Sequence, residues 1–258
     1  MADIIAFSNE KGGSGKTTTA LAFSAGLRAR GYSVLSVDMD GQGNFSYSFS
    51  GDTDNGPDAF TVFDILTDGA TLEQATQHTT AGDIITANKR LATLDRHVDP
   101  IGAEFILKDK LEDVRRVYDY IIIDTAPTLS KPTLNALIAA DHLVVPTQAD
   151  VFGLEGAKEI YRTYKQIKKH HNKGLQFAGI VLTRYNGRNV LTKDLTAQAE
   201  QMAGMIGSFL YRQPIREGVA IKEAQAMRQS IFEYAPRSHG AEDYNSTVDE
   251  YITRYGNR

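Results

Sequence analysis

An α/β fold is the expectation from this sequence: a mostly parallel, twisted sheet with helices on both faces, three layers in all. Three observations carry it. Short apolar runs recur at 4–8, 33–38, 83–87, 120–124, 142–146, 177–183 and 208–211. Most are nearly continuous, as strands buried on both faces must be. Segments with helical spacing fill the gaps, which calls for right-handed crossovers and parallel pairing. Finally, a glycine-rich octet, Lys11-Gly12-Gly13-Ser14-Gly15-Lys16-Thr17-Thr18, sits between the first apolar run and the first helical segment.

The first run, Ile4-Ile5-Ala6-Phe7, reads as a buried strand. The octet after it points backbone N–H groups inward at the positive end of a helix dipole, which makes a phosphate cradle. Lys16 would reach the outer phosphates of a nucleotide, and the Thr17 hydroxyl would ligate Mg²⁺. The alternative is an ordinary glycine-rich turn. Gly31 closes the following helix. The next strand ends in Asp38-Met39-Asp40; if the strand continues, the two acids point to the same side. Asp40-Gly41 also reads as a solvated turn. Residues 41–59, rich in Gly, Ser, Asp and Asn, read as a surface loop. Residues 104–117 carry apolar side chains at 107, 111, 114 and 117, a helical period. The run 120–123 ends in Asp124, a pattern also common in strands without function. In such a sheet ligands bind beyond the carboxyl ends of the strands, where these acids fall.

Composition narrows the classes. The chain has 258 residues, 41% hydrophobic and 23% charged, with net charge −4 and no cysteine. One domain spanning 1–258 is expected, without linker or repeat. Disulfides and cysteine-held iron–sulfur clusters are excluded. No apolar run approaches the roughly 20 residues that span a bilayer, and no secretory leader is visible, so a cytoplasmic location is expected. With a net negative chain, nucleic-acid binding would need a local basic patch.

The octet departs from the strict phosphate-loop pattern by placing Glu10 at the leading glycine and adding Lys11. It resembles the deviant Walker A motif of the ParA/MinD family of ATPases, and on its Soj-like partition branch the likeness runs nearly the whole chain. Asp38-x-Asp40-x-Gln42-x-Asn44 resembles the family's first switch, with Gly41 where Pro is frequent. Tyr120 to Asp124 resembles a Walker B strand, and Thr125-Ala126-Pro127 the second switch. The segments Val144–Gln148 and Gly153–Gly156 extend the match. The resemblance implies a P-loop NTPase three-layer sandwich with ATP and Mg²⁺ as cofactors. It implies ATP contacts from Lys11, Gly12, Gly13, Ser14, Gly15, Lys16, Thr17 and Thr18. It further implies metal surroundings at Thr17, Asp38 and Asp124, and Asp40 orienting the attacking water. Lys11 would reach a partner copy's nucleotide, with Gly12 where two subunits approach. Leu182–Tyr185 and Pro214-Ile215-Arg216 fall where the family contacts adenine, implicating Arg184, Pro214 and Arg216; the family commonly has Ile-Pro-Arg there.

The reading favoured by this resemblance is an ATP-induced homodimer that binds DNA non-specifically, hydrolyses ATP slowly and is stimulated by a ParB-type centromere-binding protein with a basic N-terminus. From Lys158 to Asp194 there are nine Lys/Arg and two acids. Lys158, Arg162, Lys165 and Lys169 keep helical spacing with Lys168 alongside, opposite an apolar stripe of Ile160, Tyr164 and Ile167. Lys165, Lys168, Lys169 and Arg188 are the DNA-contact candidates; an ordinary solvated helix face is the alternative. A MinD-like membrane-associated ATPase would need a basic, bulky C-terminal amphipathic helix. The tail from Ser246 has few large aliphatics and the adjacent acids Asp249 and Glu250, so no membrane contact is expected. A metabolic ATP-dependent enzyme on the same fold is the third class.

Overall fold

The computed structural model describes residues 1–50, 59–98, 101–187 and 190–256. Among the described residues seven strands form one sheet: β1 (Asp3–Phe7), β2 (Val34–Met39), β3 (Thr76–Thr79), β4 (Gly82–Ile85), β5 (Tyr120–Thr125), β6 (His142–Gln148) and β7 (Gln176–Thr183). Their order is β3-β4-β2-β5-β1-β6-β7. Every pairing is parallel except β3 with β4. From β1 the chain crosses to β2 on one side, and from β5 it crosses back over β1 to β6 on the other. Connections that leave in opposite directions open a crevice at the carboxyl ends of these central strands.

Period-two alternation divides the core. Ile4, Ala6, Ile121 and Ile123 face one layer; Ile5, Phe7, Tyr120 and Ile122 face the other. The helices in chain order are α1 (Lys16–Ala29), α2 (Asn44–Ser50), α3 (Val62–Leu66), α4 (Leu72–Ala75), α5 (Ile106–Glu112), α6 (Lys131–Ala139), α7 (Val151–His170), α8 (Val190–Met205), α9 (Val219–Ala226), α10 (Ile231–Tyr234) and α11 (His239–Tyr255). Helices α3 to α7 supply the first core face. Helices α1, α2 and α9 to α11 supply the second. Helix α1 ends as expected: Gly31 takes φ +88°, its N–H reaches Arg28 O, and Tyr32 N–H reaches Leu27 O, a Schellman closure.

Four expectations about elements change. Strand β3 matches none of the apolar runs, because its Thr-Gln-His-Thr is polar and only half-buried at the sheet edge. The run 208–211 makes one bridge, Leu210 to Ile180, in place of a full strand. Pro214 has no N–H to continue a ladder, and the next bond comes from Ile215 N to Leu182 O. The helix expected over 104–117 stops at Glu112 and gives way to tight turns. There Arg115 is drawn to Asp141 and the Ala2 carbonyl at the foot of the sheet. Within 41–59, residues 44–50 are helical, because Phe45 and Phe49, four apart, both bury against the core. Residues 51–58 of that segment lie outside the described part.

Candidate active site

The loop that joins β1 to α1 turns on Gly13 (φ +73°) and Gly15 (φ +92°). Both values are open to glycine at no steric cost. Lys16 opens α1 and is 6% exposed. Burial lowers its pKa, and Asp124 and Asp40 pull it back up. Its Nζ donates to the Lys11 carbonyl at 3.1 Å. A cleft of about 330 Å³ is lined by Gly12 to Thr18 together with Asp40, Gln42, Asn44, Pro127 and Arg184. The first switch, the second switch and the glycine loop therefore face one space.

Asp38 and Asp124 are register partners on adjacent strands and both are fully buried. Asp38 accepts from Ser46 N–H (2.8 Å), Ser46 Oγ–H (2.6 Å) and Asp40 N–H (2.9 Å). Desolvation raises its pKa to about 6 against those donors. Asp124 is pushed well up, first by burial and then by Asp38. One Asp124 oxygen takes the Thr17 hydroxyl at 2.6 Å; the other, Oδ1, is buried without a hydrogen-bond partner. A buried carboxylate oxygen in that condition fits a hydrated cation. Among the described residues no cluster of three His, Asp or Glu could cage a metal. The residues present therefore suit Mg²⁺, which keeps water and phosphate ligands and needs few from protein.

Asp40 is half-buried, because β2 ends at Met39 and the chain turns, with Gln42 N–H on Asp40 Oδ1. The two acids thus do not share one strand face. Lys11 lies on the other side of the loop, against its own chain. Its ammonium meets both Asp150 oxygens at 2.7 and 2.8 Å and sits 5.8 Å from the Phe152 ring centroid. Burial would raise the Asp150 carboxyl, but Lys11 and the Gly153 N–H hold it below its usual value. No sequence motif marks Asp150; its position just past the end of β6 is the signal that points to it. A Cβ at Gly156, in the second turn of α7, would lie 2.5 Å from Asn9 Oδ1, and one at Gly153, in the first, 2.2 Å from Gln148 O, so α7 packs on the loop through Gly156 and on the end of β6 through Gly153 only as glycine. At Gly12 a Cβ would meet nothing within 4 Å. The chain itself therefore does not demand glycine there.

A second, narrower slot adjoins the loop, lined by Gly15, Thr18, Thr183, Ile215, Gln225 and Tyr244 among others. Arg184, at φ +49°, borders both slot and cleft. Ile215 and Arg216 line this slot, and Pro214 sits one step outside its lining. The Arg216 guanidinium is engaged by Asp243. Of the basic strip on α7, Lys165 and Lys169 are exposed. Lys158 and Arg162 pair with Glu155 and Glu159, and Lys168 donates to Leu175 O at 2.8 Å. Arg188 lies outside the described residues. The Lys165 ammonium lies over the Tyr161 ring, 4.9 Å from its centroid, so most of the strip is engaged by its own neighbours.

An AAA domain family matches residues 2–177. The sporulation initiation inhibitor protein Soj of Bacillus subtilis is 37% identical, over 97% of this chain and 98% of its own. The chain belongs to the ParA/MinD family of ATPases, on its Soj-like branch. The chromosome-partitioning ATPase Soj of Thermus thermophilus is 34% identical, with 97% and 95% covered. Among solved structures, cobyrinic acid a,c-diamide synthase of Mycobacterium smegmatis with an ATP analogue and magnesium superposes with TM-score 0.84 at 27% identity, covering 99% of this chain and 97% of that one.

The buried carboxylates give a pH signature. At pH 6 Asp38 is partly protonated, and a cation beside it favours the ionised form. Mg²⁺ and nucleotide binding should then release protons at pH 6, with the Asp38 share vanishing towards pH 8. Calorimetry in buffers of different ionisation enthalpy measures this. Asp38→Asn should release fewer protons with the same nucleotide; equal release would clear Asp38 of any part.

Proposed function

We propose that residues 1–258 form one ATPase domain acting as a DNA partition switch: Mg-ATP joins two copies, the dimer holds DNA non-specifically, and hydrolysis separates them. The observation that carries this reading is Lys11. It sits at the rim of the phosphate loop, away from its own cleft, beside a Gly12 that its own chain leaves in open space. A lysine so placed is available to a second copy. The relatives named Soj, one of them a chromosome-partitioning ATPase, support the same reading.

Phosphoryl transfer needs positioning and charge neutralisation more than covalent chemistry. The loop N–H groups and Lys16 hold the β- and γ-phosphates. Thr17, Asp124 and Asp38 would hold Mg²⁺, which would supply positive charge against the γ-phosphate. Asp40, at the open side of the cleft, orients the attacking water. Intrinsic turnover is slow, and a ParB-type partner with a basic N-terminus accelerates it. Lys165, Lys168 and Lys169 from both copies form the DNA footprint. The ATP and Mg²⁺ supply of the cytoplasm suits this cycle.

The membrane reading fares worse. Among the described residues no helix is long and apolar enough to cross a bilayer. The apolar face of α11, with Tyr244, Val248 and Tyr251, is buried in the core and leaves little to insert. A metabolic enzyme on this fold would be marked by ATPase activity that depends on a small molecule instead of DNA.

Lys16→Ala should lose nucleotide binding. Lys11→Ala should bind a non-cleavable ATP analogue yet stay monomeric by light scattering. Asp40→Ala should dimerise but hydrolyse at least about tenfold more slowly; parental turnover would remove Asp40 from the reaction. Because Lys11 must leave Asp150 to serve another copy, Asp150→Asn, which keeps the helix cap, should dimerise at lower protein concentration. Weaker dimerisation would mean that Asp150 supports the assembly. Replacing Lys165 and Lys169 with Ala should weaken DNA binding about tenfold and flatten its salt dependence, with ATP affinity unchanged in a filter or fluorescence assay.

A further inference from the structure

One buried carboxylate joins helix α11 to the loop that walls the narrow slot. Asp243 is 1% exposed. Its oxygens accept from the Arg216 N–H at 2.9 Å, from Arg216 Nε at 2.9 Å, from Arg216 Nη2 at 2.6 Å and from Gln213 Nε2 at 2.8 Å. Glu242 adds a longer contact to the same guanidinium, at 3.3 Å. Donors from both ends of the 213–216 turn thus converge on one side chain.

The opposite edge of the loop is stitched to the end of β7. Ile215 N–H donates to Leu182 O at 2.7 Å, Tyr185 N–H to Ile215 O at 2.9 Å and Glu217 N–H to Tyr185 O at 3.2 Å. Ile215 is thereby fixed as a slot wall, facing Gly15 and Thr18 of the phosphate loop. The residue after Asp243, Tyr244, also lines the slot, and its hydroxyl lies 3.3 Å from Thr19 Oγ1 on α1. Helix α11 therefore touches the loop through Asp243 and the nucleotide helix through Tyr244, and so sets the distance between them. Charge-assisted bonds to a buried carboxylate are strong and geometrically strict. Removing one partner leaves the other without compensation.

We propose that Asp243 is a positioning residue for nucleotide binding: by gripping Arg216 and Gln213 it holds the 213–217 loop at the spacing from Gly15 and Thr18 that a planar base requires. Arg216 is then a strut of the slot, and its guanidinium serves Asp243. The inference rests on the reading that the ATP base enters this slot while its phosphates lie in the glycine loop.

The test is calorimetric binding of Mg-ATP and of Mg-tripolyphosphate to the full chain. Asp243→Asn should weaken ATP about tenfold and leave tripolyphosphate within about twofold, because only the base meets the displaced wall. Equal losses for both ligands would place the effect on the phosphate loop or the whole fold. Unchanged ATP affinity would leave Asp243 without a positioning role. Either result overturns the proposal. A parental chain that binds ATP no more tightly than tripolyphosphate would instead overturn the base-slot reading on which it stands. Should Asp243→Asn fail to fold, the double variant Arg216→Gln/Asp243→Asn leaves no unpaired buried charge and is expected to show the same split.

Discussion

Two carboxylates buried side by side, Asp38 on β2 and Asp124 on β5, set the terms for the rest of the site. Like charges this close in a dry interior do not both ionise without compensation. The chain supplies part of it: Ser46 and the turn at Asp40 on one carboxyl, Thr17 and Lys16 on the other. What is left over, a raised pKa on each acid and one Asp124 oxygen without a hydrogen-bond partner, is a deficit that a hydrated divalent cation meets. The same requirement explains α2. Ser46 reaches Asp38 only because Phe45 and Phe49 anchor that short helix in the core, and Ser46 Oγ also takes the Ala87 N–H beyond β4.

On the far side of the loop the logic reverses. Lys16 is buried and committed to the cleft, whereas Lys11 is half-exposed and held only by surface groups, Asp150 above all. Gly153 against the Gln148 backbone and Gly156 against Asn9 and Lys11 let α7 come close enough to present Asp150. Surface ion pairs contribute little to stability, so a contact of this kind can be exchanged at small cost. Under the proposed cycle that is what Lys11 needs. The C-terminal helix has a comparable double engagement, to α1 through Tyr244 and to the 213–217 loop through Asp243, which ties the end of the chain to its beginning.

Much of the site was legible because phosphate chemistry imposes short-range patterns. Gly15-Lys16-Thr17 after an apolar run, Asp38 and Asp124 at strand ends and the switch segments all sit on contiguous residues. The cleft gathers the switches and the glycine loop as those motifs imply. Less local features were not readable. The edge strand β3 carries no apolar pattern, because a polar edge has one neighbour and half its surface in solvent. The helix over 104–117 was overextended, because periodicity cannot see Arg115 being drawn to Asp141. The basic strip of α7 looked continuous in sequence, yet Glu155, Glu159 and the Leu175 carbonyl occupy Lys158, Arg162 and Lys168.

By itself the sequence determined most of the strands, the glycine-rich turn after the first of them and the acids at the ends of β2 and β5, since each follows from backbone sterics and spacing within a few residues. Only the tertiary structure decided which charges meet: Lys11 with Asp150 and Arg216 with Asp243, pairs separated by 139 and 27 positions. Contacts of that range depend on how β6, β7 and α11 are placed in space, and no local pattern of residues encodes it.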